Sequence, residues 1–184
     1  MRPVIYSMSV SLDGFIVGPD GDIGWTAPDA ERFLFHVQQT REIGVELMGR
    51  RLYEAMLVWE TPEAPRSSAD ELEFARIWNA IPKVVFSATL DQVRGNARLA
   101  GDVATEVAAL RAVPGEGVIS VGGAGLAASL VKLDLIDEYR LFVNPVVLGG
   151  GTPYFPPLDR RISLELLETR TFGSGATYLR YRRG

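Results

Sequence analysis

The sequence predicts an α/β fold, with a mostly parallel central sheet flanked by helices and an antiparallel C-terminal hairpin. Short apolar, β-branched runs alternate with helical stretches through most of the chain, which is the pattern of a parallel sheet with helical crossovers. The last two runs flank Gly173-Ser174-Gly175, a hairpin signal that makes the closing pair antiparallel. At 184 residues, with no long linker or internal repeat, the chain reads as one domain, residues 1–184.

Val4 to Val10 is short and β-branched and reads as a buried strand, ended by Asp13-Gly14. A turn-rich loop, Gly18 to Gly24, follows. Asp29 to Ile43 carries apolar residues at helical spacing and reads as a helix. Val45 to Met48 reads as a strand that runs through Gly49 into a short helix, Arg50 to Met56. The proline-rich connection Thr61 to Pro65 separates this from a helix over Ala69 to Asn79, which Pro82 stops. Lys83 to Ser87 is the next strand, and Asp102 to Val113 an alanine-rich helix closed by Pro114-Gly115. Val118 to Val121 is a strand entering Gly122-Gly123-Ala124-Gly125, followed by a helix to about Leu133. Glu138 to Val143 is a strand before a second glycine-rich loop, Gly149-Gly150-Gly151, and Ile162–Thr171 and Ala176–Arg182 form the hairpin.

Composition excludes several chemistries. There is no cysteine, so disulfides, thiolate zinc sites, iron–sulfur clusters and cysteine nucleophiles are absent. The single histidine, His36, rules out a histidine-cluster metal centre. A net charge of −4 argues against a protein that tracks phosphate backbones. No apolar run reaches the length of a membrane span, and the first residues make a poor signal peptide, so a cytoplasmic location is expected.

In an open α/β sheet, ligands bind beyond the carboxyl ends of the parallel strands. Gly49-Arg50-Arg51, Ser87-Ala88-Thr89 and Gly122-Gly123-Ala124-Gly125 all follow strands and would share that edge. Glycines let a backbone approach a pyrophosphate, and arginines grip phosphate with a forked guanidinium. Together they suggest a dinucleotide. Each also has a plainer reading: a glycine turn needed for geometry alone, and a solvated helix start. Two cations at a helix N-terminus oppose the macrodipole, however, which a bound phosphate would explain. Thr26-Ala27-Pro28-Asp29 fits a capping box with Thr26 as N-cap and Asp29 at the third helical position. Asp20 and Asp22 fit a turn, since the distal glutamate of a calcium loop is missing. His36 reads as a packing or surface residue, and Trp25 either packs or covers a ligand.

Five segments, in order and spacing, resemble the dihydrofolate reductase superfamily: Ser7 to Ile16 with Trp25, Leu47 to Glu54, Lys83 to Ser87, Val121 to Leu126, and Val143 to Gly151. The branch they most resemble contains the reductase domain of riboflavin-biosynthesis deaminase-reductases. The resemblance implies NADPH as cofactor. Gly49, Arg50 and Arg51 would hold the adenosine phosphates, Ser87 the ribose phosphate, and Gly122, Gly123, Ala124, Gly125 and Leu126 the pyrophosphate. Ile16 would lie over the nicotinamide, and Ser7, Trp25 and Phe33 on the acceptor side. Leu52 departs from the pattern, standing where a threonine is frequent. Asp29 would deliver a proton, with a pKa raised by burial, although its spacing from Trp25 is about one residue short.

The activity so implied is hydride transfer from NADPH to a small heteroaromatic acceptor of pterin, flavin or ribosylated or ribityl-amino pyrimidine type, in a homodimer that binds neither nucleic acid nor membrane. The alternative is a nucleotide- or flavin-binding protein of the same fold without turnover.

Overall fold

In the computed structural model, which describes residues 1–61, 66 and 68–184, ten strands and five α-helices are seen among the described residues. The proline-rich connection at 62–65 lies outside them. The strands are β1 (Val4–Ser11), β2 (Phe15–Val17), β3 (Ile43–Gly49), β4 (Lys83–Phe86), β5 (Ala97–Ala100), β6 (Val118–Gly122), β7 (Glu138–Asn144), β8 (Thr152–Pro153), β9 (Leu164–Thr171) and β10 (Thr177–Arg183). The helices are α1 (Ala30–Thr40), α2 (Arg50–Met56), α3 (Ala69–Ala80), α4 (Val103–Ala112) and α5 (Ala124–Lys132).

The main sheet has the order β5-β4-β3-β6-β1-β7-β10-β9. Its first six strands run parallel, and β10 pairs antiparallel with both β7 and β9, so the expected class and closing hairpin are observed. The sequence reading missed β5, whose Ala97-Arg98-Leu99-Ala100 lacks an apolar run, and the small β2–β8 pair.

Alternation along each strand separates two cores. Val4, Tyr6, Val45, Leu47, Ile119 and Val121 face α4 and α5, where Val107, Ala127 and Leu130 are buried against them. Met48 and Val85 face the other way, onto Val37 of α1 and Phe74, Ile77 and Trp78 of α3. On this second face the register aligns Ile5 with Ser120, Ser120 with Glu46, and Glu46 with Lys83. A polar row therefore crosses the middle of the sheet beneath α1 and α3.

The starts of α1, α3 and α4 are set by side-chain caps. Ser68 and Glu71 form a reciprocal capping box on α3, and Asp102 caps α4. At α1 the structure corrects the sequence reading: the helix begins at Ala30, and Asp29 is itself the N-cap, its carboxylate accepting from the Arg32 amide at 2.8 Å. Thr26 instead lies in a 3-10 turn, where its carbonyl accepts from the Arg32 guanidinium at 2.6 Å. Proline at 28 explains the shift, because it holds the preceding residue extended and keeps the helix from starting at 26.

Candidate active site

The ends of β3, β4 and β6 lie side by side at one edge of the sheet. Gly49 closes β3 and is the N-cap of α2; Gly123 follows β6 and is the N-cap of α5. Neither helix has a side-chain cap, so the first amides of α5 are left without the usual side-chain acceptor. Gly123 has φ +94°, a backbone region that L side chains rarely adopt, and a Cβ built there would lie 4.0 Å from the Gly49 amide nitrogen. The two turns thus converge. Cβ atoms placed on Gly49 and Gly125 would meet nothing within 4 Å, so both backbones border open space.

Arg50 is half-exposed at this edge, donating to Glu54 and, at 2.8 Å, to Thr89 Oγ1, and Arg51 is exposed. Ser87 Oγ accepts from the amides of Thr89 and Leu90 at 3.1 and 3.0 Å, forming the turn after β4. Gly49, Arg50, Arg51, Ser87 and the Gly122-to-Gly125 turn are therefore brought together on one rim, as expected. This rim fits an anionic dinucleotide such as NADPH: an uncapped helix N-terminus, glycine backbones bordering open space, and two exposed arginines. Leu126 and Ile16 are 8% and 3% exposed and belong to the α4–α5 core, so Leu126 can offer a ligand only its backbone, and the Ile16 side chain is enclosed.

Behind the rim, on the α1–α3 face, lies a cavity of about 290 Å³. Its floor is the sheet, with Ser7, Ser9, Glu46, Ser120 and Gly122; its walls include His36 and Thr40 of α1, Leu52 and Met56 of α2, and Trp78 of α3. Gly122 joins cavity and rim, since a Cβ there would collide with Leu52 and come within 2.9 Å of Glu46 Oε1. The volume suits a small ring compound.

Of the ionisable groups that line this cavity, Glu46 escaped the sequence reading, whereas a packing role was expected for His36. Glu46 is 5% exposed, and burial pushes its carboxyl up to about 7 against the smaller opposing effects of a Ser120 hydrogen bond and the Lys83 charge. His36 packs on Phe142, with ring centroids 4.2 Å apart; burial, aided by the Arg32 charge, brings its pKa down to about 4 and keeps it neutral. The usable signal for Glu46 was one acidic residue inside the apolar run Val45 to Met48.

Of the acceptor-side candidates, Ser7 lines the cavity, whereas Trp25 and Phe33 are not among its lining residues. The Trp25 indole donates to the Asp22 carbonyl at 3.2 Å, and Phe33 packs in an aromatic cluster, stacked on Trp59 and tilted against Phe74. Asp29 is exposed and also outside the lining. The Arg32 amide and the Ser174 hydroxyl hold its carboxylate below the usual range, so the burial-raised pKa expected for it is corrected to a lowered one. The Ser-Leu-Asp-Gly motif serves a different end. Asp13 accepts from Ser11 at 2.6 Å and from the amides of Leu148 and Gly149, tying the end of β1 to the second glycine-rich loop. In that loop Gly151, at φ +120°, sits where a Cβ would strike the Val17 carbonyl.

Fold and site define a domain of the dihydrofolate reductase-like class. The Enterococcus faecalis dihydrofolate reductase in complex with NADP(H) superposes with a TM-score of 0.65 at 18% identity, covering 99% of this chain and 96% of that one. A Shewanella sp. PV-4 protein named for riboflavin biosynthesis superposes over 100% of this chain and 99% of its own, with a TM-score of 0.78 at 22% identity. Within that class the chain belongs to the RibD C-terminal domain family, whose model matches residues 2–178. The Bacillus subtilis (strain 168) protein YyaP is 33% identical over 182 residues, which is 98% of this chain and 94% of YyaP.

Proposed function

We propose that this chain is an NADPH-dependent reductase that passes a hydride to a small heteroaromatic acceptor of pterin, flavin or ribosylated or ribityl-amino pyrimidine type. The observation that carries the reading is the continuity of two spaces through Gly122: an anion-binding rim at the strand ends and a ring-sized cavity behind it. Family membership supports a reductase-type fold, and the Enterococcus faecalis neighbour was solved with NADP(H).

NADPH, when bound, supplies the hydride. Arg50 and Arg51 would hold its adenosine phosphates, Ser87 the adjacent ribose phosphate, and the amides after Gly123 the pyrophosphate. The cavity would hold the acceptor against the Gly122 end of the rim and exclude water behind the walls of α1, α2 and α3. We place the protein in the cytoplasm as a homodimer that binds neither nucleic acid nor membrane. Leu164, Leu166 and Leu167 on the edge strand β9 are 37%, 51% and 40% exposed, which supports a second copy as their cover.

The test is a titration with NADPH and NADH, followed by NADPH oxidation at 340 nm with pterin, flavin and aminopyrimidine acceptors. Saturable NADPH binding and acceptor-dependent oxidation are expected. Absence of NADPH binding refutes the reading.

A further inference from the structure

We propose that Glu46 is the acid of the cavity: its carboxyl hydrogen-bonds the bound acceptor and supplies the proton that accompanies the hydride. This rests on the reductase reading above and adds a residue and a substrate constraint to it.

The geometry comes first. Glu46 is on β3 three residues before Gly49, so the strand that delivers the rim also delivers the carboxyl. Alternation points it to the α1–α3 face, opposite Val45 and Leu47. It lines the cavity, and its Oε1 lies beside Gly122, where cavity and rim meet.

Its surroundings do not account for it. The charged and titratable groups of the packed elements are Lys83 on β4, Glu60 in the turn after α2, His36 on α1 and Arg140 on β7. Lys83 spends its ammonium on the carbonyls of Trp78 and Ile81, at 2.7 and 3.0 Å, and on Glu60 at 3.2 Å. Arg140 is held by Glu138, Gln39 and Glu42. His36 is neutral above about pH 4. Glu46 forms no ion pair among the described residues; the Ser120 hydroxyl is its hydrogen-bond partner. A buried carboxyl with no ion pair destabilises a fold unless it stays protonated, and burial does raise it to about 7. Trp78, 4% exposed and lining the same cavity, also leaves its indole N–H without a partner. Two buried polar groups therefore meet at one ring-sized space.

The chemistry balances. Reduction of a C=N or C=O bond breaks the π bond and forms a C–H bond with the hydride and an N–H or O–H bond with the Glu46 proton. The acceptor gains two electrons, the dihydronicotinamide loses two, and the Glu46 carboxylate recovers its proton from water. Because both nearby cations are already neutralised, the part of the acceptor inside the cavity is uncharged: a planar ring with a reducible C=N or C=O.

Two measurements test this. In protein labelled with ¹³C at the glutamate carboxyls, the Glu46 signal is assigned by its loss in Glu46→Gln and followed against 2-aminopyrimidine, a neutral planar ring whose amino group and ring nitrogen match a carboxyl. A saturable shift of that signal is expected; no shift overturns the proposal. In the second, NADPH oxidation is followed with 6-methyl-7,8-dihydropterin. Glu46→Gln should lower kcat by about 10²–10⁴-fold, leave NADPH affinity unchanged, and abolish the decline of the wild-type rate as pH rises through neutrality. Glu46→Asp should recover part of the rate. An unchanged rate and pH profile in Glu46→Gln overturns the proposal. Where the wild type does not turn this pterin over, the carboxyl shift decides. Failure of NADPH to bind refutes the reductase reading instead, and leaves the carboxyl measurement to stand by itself.

Discussion

Glu46 and His36 line one cavity and bias the stability of the fold with pH in opposite senses. The Glu46 carboxyl rises from its ordinary 4.5 to about 7, chiefly through burial. A folded-state acid held above its unfolded value contributes stability that is full below pH 4.5 and is lost as pH rises through about 7. At about 1.4 kcal/mol per unit, that loss is about 3 kcal/mol. His36 falls from 6.5 to about 4, again chiefly through burial. Its contribution is full above pH 6.5 and is lost as pH falls through about 4, by at most about 3 kcal/mol.

Between about pH 5 and 6.5 the two slopes therefore oppose each other in the wild type. Glu46→Gln removes one of them and keeps a hydrogen-bonding group beside Ser120. Urea denaturation from pH 4.5 to 8.5 should then show a variant whose stability rises to about pH 6.5 and stays level, while the wild type stays nearly level to about pH 6.5 and falls only slightly above it, to about pH 7. The difference between the two proteins cancels the other carboxylates, which titrate in both. Stability curves that run parallel across this range would refute the burial of Glu46 as a protonated group.

Other expectations concern the rim, the cap and the edge. Arg50→Ala with Arg51→Ala should reduce the preference for NADPH over NADH by about ten- to a hundredfold, read by calorimetric titration. Gly123→Ala meets no close neighbour, its nearest atom being Leu52 Cβ at 3.8 Å, so its cost is the φ of +94°, about 1–2 kcal/mol in urea denaturation, together with weaker NADPH binding. Asp29→Ala removes the α1 cap and should lower Tm by about 2–4 °C, with kcat of the folded enzyme unchanged, checked by calorimetry and NADPH oxidation. Leu166→Lys charges the β9 edge and should bring the mass in solution down to the 20.1 kDa of one chain, measured by light scattering.

The parallel sheet was legible because its strands are short, mostly apolar and β-branched runs, as in Val118 to Val121, which glycine closes. Strand β5 was not, because it is four residues long, interrupted by the charged Arg98 and built half of alanine, so Ala97-Arg98-Leu99-Ala100 reads equally as loop. The N-cap of α1 was misplaced by three residues because two capping patterns overlap. Thr26 with Asp29 satisfies the capping box on paper, but Pro28 lies between them, and Asp29 with Arg32 makes the bond that forms.

The rim could be read without coordinates because its needs are local: glycine for a positive φ, arginine for phosphate, both at strand ends that a parallel sheet brings to one edge. The cavity could not, because its polar groups come from β1, β3, β6, β7, α1 and α3 and share a face only once strand order and register are known. Glu46 shows the difference. Within Val45-Glu46-Leu47-Met48 a lone carboxylate looks like a residue facing solvent, the ordinary reading of an acid in an alternating strand. That reading fails because β3 is an interior strand between β4 and β6, with α4 and α5 over one face and α1 and α3 over the other. Neither side of such a strand reaches bulk water, so an acid on it must be paired, protonated or matched to a ligand. Asp29, the carboxylate implied by family resemblance, has its negative charge fixed by a helix amide, which makes it a poor proton source at neutral pH. The acid with a proton to give in this fold is on the strand, and the helix aspartate holds the wall of the cavity in place.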